Sequence, residues 1–248
     1  MIWLPAAGAG QGAGAGAGPS SESRNALANN TDVTTRSWRA ERARKWRNGV
    51  PELSDGTVTL RELRVRDAAA LVGHLHQSNV MQYIAPCPST VDGFRRYIRW
   101  THRERRNGRY VCYGIIPPGQ TTPVGVIQIW PVERDFSTAE WGFALGESYW
   151  GTGVFARSAR LFIDTVFSTL GVFRLEARAV EANDRGNGVF RKLGATREGV
   201  LRGGFHDGDM VDDQVMWSIL ASEWPRARKP RTKARRKSRT KTPRTKSR

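Results

Sequence analysis

Between Thr138 and Leu170 the chain passes from strand-like alternation into a glycine-bearing loop and straight on into an amphipathic helix, and this junction constrains the fold more than any other feature. The alternating segment ends at Leu145, the loop carries Gly146, Gly151 and Gly153, and the helix begins at about Val154. Glycines there let the backbone approach a ligand closely. The free N–H groups of Gly151 to Ala156 then converge with the positive end of the helix dipole on one spot, an arrangement that binds phosphate or pyrophosphate. Read alone, such a junction is more often an ordinary tight turn. It is not a Walker loop, since no Lys-Ser or Lys-Thr follows Gly153, and the third glycine of the dinucleotide fingerprint is absent.

The segments around the junction read as one domain. Thr57–Arg64 has strand character, and Asp67 is placed to cap a helix through Ala68–His76. A short turn at Asn79–Ile84 precedes a longer helix that begins at Thr90 and ends at Gly108. Strand-like runs follow at Arg109–Ile116, Val124–Trp130 and Thr138–Leu145, then the helix Val154–Leu170 and the strand Arg174–Val180. A helix at about Arg185–Leu193 and strands at Thr196–Leu201 and Gln214–Leu220 close the series. This order predicts an α/β fold, a mixed sheet with helices on both faces.

The flanks differ in composition. Residues 6–18 are almost entirely Ala and Gly, and no large apolar residue follows Trp224. Neither stretch can bury enough apolar surface to offset its ordering entropy. The expected organisation is therefore a disordered leader at 1–54, with a short basic helix at Arg36–Asn48, a folded domain at 55–224 and a disordered tail at 225–248. Thirteen Lys or Arg and no acid lie in 226–248, so without them the formal charge falls from +17 to +4. The basicity thus belongs to the flanks and bears on partners rather than on the fold. A tail of this kind binds polyanions, with RNA, ribosomes or DNA as candidate partners; a merely solubilising tail reads the same way. Cys87 and Cys112 are too few for a disulfide framework, and neither they nor His74, His76, His102 and His206 have metal-ligand spacing, so no metal is expected. With no signal-peptide pattern and no run of ~18 apolar residues, a cytoplasmic protein without a membrane partner is expected.

Several segments, in the same order, resemble the GNAT superfamily of N-acetyltransferases and, within it, the ribosomal-protein acetyltransferase branch. TVTLRELRVRDAAAL is similar to its opening strand and helix, and NVMQYI to its second helix. AEWGFALGESYWGTGVFARSA resembles its central strand and pyrophosphate loop, and VFRLEARAVEANDRGNGVFRKLGATREGVLR the following strand, helix and strand. DGDMVDDQVMWSILASEW is similar to the final hairpin. The resemblance implies a mostly antiparallel sheet that splays between the parallel strands 138–145 and 174–180. It also implies acetyl-CoA as co-substrate. The loop Tyr149, Trp150, Gly151, Thr152, Gly153, Val154, Phe155 and Ala156 would hold its pyrophosphate. Phe143, Ala144 and Leu145 would pair with the pantetheine arm, and Asn183 would meet the same arm or simply cap its helix.

The reaction so implied is attack of a neutral amine on a thioester. Amines of pKa ~8 to ~10.4 arrive mostly protonated, so a base must take a proton. Glu140, on the strand before the loop, is the candidate catalytic residue. The family's usual proton donors are a serine three residues and a tyrosine seven residues after the asparagine; here those positions are Gly186 and Phe190. Asn187 or water would then assist the leaving thiol, and Asn187 is counted with the cofactor-binding residues. Two functions follow. One is an N-acetyltransferase acting on an amine acceptor, a protein N-terminus or a small molecule. The other is a coenzyme A-binding, catalytically weak protein that works through nucleic-acid or ribosome association of its tail.

Overall fold

The computed structural model describes residues 46–84, 87–133 and 135–225. Eight strands form one sheet: β1 (Leu53–Ser54), β2 (Thr59–Glu62), β3 (Val111–Ile116), β4 (Gly125–Pro131), β5 (Thr138–Leu145), β6 (Arg174–Val180), β7 (Thr196–Asp207) and β8 (Met210–Leu220). Their spatial order is β1-β2-β3-β4-β5-β6-β8-β7, and every neighbouring pair is antiparallel except β5 with β6. The helices are α1 (Ala68–Leu75), α2 (Ser78–Met81), α3 (Val91–Arg106), α4 (Val154–Thr165) and α5 (Asp184–Lys192). The expected mixed sheet with helices on both faces is the observed architecture.

Strand alternation divides the core in two. Trp141 of β5, Leu175 and Ala177 of β6 and Trp217 of β8 pack with Phe155, Phe162 and Ile163 of α4 and Phe190 of α5. Leu71 and Leu75 of α1 and Phe94, Tyr97 and Ile98 of α3 pack with Tyr110, Cys112, Val126 and Ala144 on the other face. Thr90 caps α3 by accepting a hydrogen bond from the Gly93 N–H at 3.0 Å, and Gly108, at φ 72°, ends it.

Four expectations are corrected. The folded unit begins no later than Trp46, which is 4% exposed and packs edge-on against Tyr113, so the boundary at 55 is too late. That tryptophan stands in an arginine-rich stretch whose local polarity hides a tertiary anchor. The rest of the expected basic helix and of the leader, like residues 226–248, lies outside the described residues; Trp46 to Asn48 form its one described turn. Asp67 precedes α1 but does not cap it; its carboxylate accepts from Arg61 at 2.7 and 2.9 Å and from the Arg64 N–H at 2.7 Å. Val166–Leu170 continues α4 as a π-helical turn. Finally, β7 and β8 extend to a two-residue turn at Gly208–Asp209, because register shifts between Leu201 and Phe205 absorb the Gly203–Gly204 pair that reads as loop. Asp213 supports that irregularity by accepting from the Gly203 N–H at 2.8 Å.

Candidate active site

The parallel pair β5/β6 is joined only through Thr138↔Arg174, Ala139↔Leu175 and Glu140↔Glu176. Beyond Glu140 the strands part: β5 continues paired to β4 as far as Leu145, and β6 continues paired to β8 as far as Val180. The β6-facing backbone of residues 141–145 thus runs along a gap without a strand partner.

A cleft of about 690 Å³ opens from this fork. Of the expected binding residues it is lined by Phe143, Ala144, Leu145, Tyr149, Trp150, Gly151, Gly153, Phe155, Ala156 and Asn183. Thr152, Val154 and Asn187 are not among its lining. Gly151 and Gly153 take φ of 75° and 82°, a left-handed backbone that side chains strain, and a Cβ on either would project into open space. The first intrahelical bond of α4 runs from the Arg157 N–H to the Gly153 carbonyl, so the amides of Phe155 and Ala156 precede the hydrogen-bonded ladder. Glycine backbone, free amides and open space fit the phosphates of a coenzyme A-type ligand.

Asn183 lines the cleft and caps α5, its Oδ1 accepting from the Gly186 N–H at 2.8 Å. Asn187 is corrected. It is 4% exposed; its amide donates to the carbonyls of Val180, Glu181 and Asn183 at 3.0 to 3.2 Å and accepts from the Trp217 indole N–H at 2.9 Å. With its amide engaged on both sides, it holds the start of α5 to β6 and β8 instead of meeting a ligand. The two positions without a hydroxyl also have local reasons. A Cβ at Gly186 would lie 2.8 Å from the Asn183 amide nitrogen, and the Phe190 ring is buried among Trp141, Phe143 and Trp217.

Glu140 sits at the base of the fork, outside the cleft lining, on the sheet face that carries Trp130 and Glu176, its direct cross-strand neighbours. Its side chain is 15% exposed, and its Oε1 lies 3.7 Å from the Arg178 Nε. Burial raises the Glu140 carboxyl above its ordinary range; Arg178 pulls it down, Glu176 pushes it up, and a hydrogen bond from Trp130 lowers it. A carboxylate shifted upward is a better proton acceptor near neutral pH.

Periodicity and the glycine pattern led to the loop but missed residues that tertiary structure brings to the cleft. Asn79 and Tyr83 come from the α2 region, and the Tyr83 hydroxyl donates to the Ala182 carbonyl at 3.2 Å. Arg160 and Lys192 bring two cations, and the Arg185 guanidinium lies 3.8 Å above the Trp150 ring. Arg160 was legible, since it stands four residues after Ala156 on the same helix face. Among the described residues there is no cluster able to hold a metal ion, and no helix is long and apolar enough to cross a membrane.

A forked parallel pair with a glycine loop at the next helix start is the arrangement expected of an acyl-CoA N-acyltransferase. The chain belongs to the GNAT acetyltransferase family: residues 57–196 match its domain, described as acetyltransferase (GNAT) domain, and the protein is an acetyltransferase. It is 26% identical over 168 residues to an uncharacterised N-acetyltransferase, p20, of Bacillus licheniformis, covering 67% of this chain and 94% of that protein. A probable N-acetyltransferase of Bacillus subtilis, YjcK, is 25% identical over 132 residues, 53% of this chain and 73% of that one. Among solved structures, Mycobacterium smegmatis RimJ in complex with CoA-disulfide superposes with a TM-score of 0.64 at 24% identity, covering 73% and 90% of the two chains. The ribosomal-protein-S5-alanine acetyltransferase of Vibrio fischeri gives 0.63 at 15% identity, covering 71% and 100%.

Proposed function

We propose that the protein moves the acetyl group of acetyl-CoA to a primary amine by direct attack, with Glu140 as general base and a protein N-terminus as acceptor. The observation that carries the reading is the fork: Glu140 lies where the pairing of β5 with β6 stops and the unpaired backbone of residues 141–145 begins. Acetyl-CoA supplies the activated acetyl thioester. Residues 149–156 hold its pyrophosphate through backbone amides, and Phe143 to Leu145 pair with the pantetheine arm. Asn183 meets the arm while capping α5, and Arg160 and Lys192 add positive charge where a polyphosphate needs it. Glu140 removes a proton from the incoming nitrogen as the C–N bond forms. A backbone N–H near Phe143 to Leu145 stabilises the carbonyl oxygen as it gains charge. The C–S bond then breaks, and a thiol of pKa near ~8.5 departs with its proton drawn from water.

The acceptor class rests on the likeness to the RimJ-type and ribosomal-protein-S5-alanine acetyltransferases, which also supports the ribosomal-protein branch. Release of coenzyme A should be followed over N-terminal peptides, polyamines and aminoglycosides. Turnover confined to peptides with a free α-amine is the expected result. No turnover on any amine, with coenzyme binding retained, would favour the non-catalytic reading instead.

A further inference from the structure

Helix α3 presents two faces of opposite character. Phe94, Tyr97, Ile98 and Thr101 are buried, whereas Arg96, Arg99, Arg103 and Arg106 are exposed. At 100° per residue the four arginines fall within about 80° of arc, and at 1.5 Å per residue they span about 15 Å. Among the described residues Arg96, Arg99 and Arg106 have no ion-pair partner, and Arg103 meets Glu104 only at 3.4 Å. The helix dipole favours cations in the last turn, which accounts for Arg103 and Arg106 but not for Arg96 and Arg99. The stripe continues beyond the helix: Arg105 donates to the carbonyls of Trp46 and Arg47, bringing the exposed Arg47 beside the end of α3. The chain leading to Arg47 carries five more Lys or Arg between 36 and 45.

We infer that this face of α3 is a docking surface for the phosphate backbone of a nucleic acid, separate from the acetyl-transfer site. Guanidinium groups match phosphate oxygens bidentately, and a line of them at one-turn spacing suits a row of phosphates. Among the described residues the large exposed apolar ones are Val132, Phe173, Leu201, Met210 and Val211, none of them on α3. A protein partner calls for a desolvated aromatic or aliphatic centre, and a lipid surface for apolar insertion. Charge complementarity without such anchors favours nucleic acid.

The test uses the full chain, basic tail included, and a fluorescein-labelled RNA duplex of about 20 base pairs read by anisotropy across a KCl series. Changing Arg96, Arg99, Arg103 and Arg106 together to Gln should reduce the slope of log affinity against log salt by about 3, at 0.7–0.9 per phosphate contact. Affinity near 0.1 M salt should fall about ten-fold or more. The matching Arg→Lys variant should keep the slope. Gln is nearly as good a helix former as Arg, so the melting temperature should hold. An unchanged slope in the Gln variant would assign RNA binding to the tail and overturn the inference. So would loss of binding to phosphatidylserine vesicles with RNA binding intact.

Discussion

Arg178 stands two residues past Glu176, the last position at which β6 pairs with β5, and places its Nε 3.7 Å from the Glu140 Oε1. Its side chain is 38% exposed, so solvent screens the pair, yet it is the cation that opposes the effect of burial on Glu140. Facing the same carboxyl are Glu176, across the strand pair, and the Trp130 indole on β4. Arg178→Gln leaves burial and Glu176 opposed by the Trp130 hydrogen bond without the arginine, so the Glu140 pKa should rise further. The ionised fraction then falls at any given pH, and the acidic limb of kcat/KM moves to higher pH. The direct check is the carboxyl 13C titration of Glu140 in both proteins; an unmoved titration would remove Arg178 from the account. Arg178→Lys should restore most of the position, because the charge remains.

Glu140→Gln keeps the shape of the side chain and removes its basicity. If Glu140 takes the proton from the amine, kcat should fall on the order of 10²-fold or more while coenzyme binding is kept. The check is steady-state turnover beside a thermal-shift measurement with acetyl-CoA. Equal turnover in the two proteins would shift the base role to another group or to water.

Gly151→Glu with Gly153→Glu places two carboxylates in the open space where phosphates are proposed to sit, at backbone angles that disfavour side chains. Acetyl-CoA at 100 times its dissociation constant should stabilise the unaltered protein by about 2.7 kcal/mol, a rise of roughly 5–10 °C. The double variant should show no such rise. A rise of the same size in both would mean that the loop is only a turn.

The sequence was most legible where local pattern and tertiary structure agree. β5 and β6 occupy the ranges that alternation predicts, and Gly151 and Gly153 of the loop stand where a left-handed backbone is needed. It was least legible where a single side chain finds a distant partner. Nothing local distinguishes Trp46, buried against Tyr113, from a tryptophan in solvent. Asp67 has the position of a helix cap, but the Arg61 guanidinium six residues earlier is a stronger partner than a backbone amide. Glycine pairs carry the opposite ambiguity: Gly203–Gly204 reads as a break, yet the hairpin passes through it as a bulge. The stripe on α3 was visible as arginine count alone; the buried face of the helix had to be known before the exposed one had meaning.

Asn187 separates a structural role from a binding one. Its amide carries four hydrogen bonds that tie the first turn of α5 to the end of β6 and to Trp217 of β8. Asn187→Ala leaves the Trp217 indole N–H buried without its acceptor and removes a donor from three carbonyls. An unsatisfied buried polar group costs about 1–3 kcal/mol, so the melting temperature should drop by roughly 2–10 °C. Asn183 keeps its own cap to Gly186, and the cleft lining is untouched, so the rise in melting temperature on adding acetyl-CoA should persist. Asn183→Ala should do the reverse in proportion. It loses a cap worth about 1 kcal/mol and, with it, contact to the arm, so coenzyme affinity should fall more than stability does. A variant of Asn187 that keeps its melting temperature but loses the acetyl-CoA response would return that residue to the binding site.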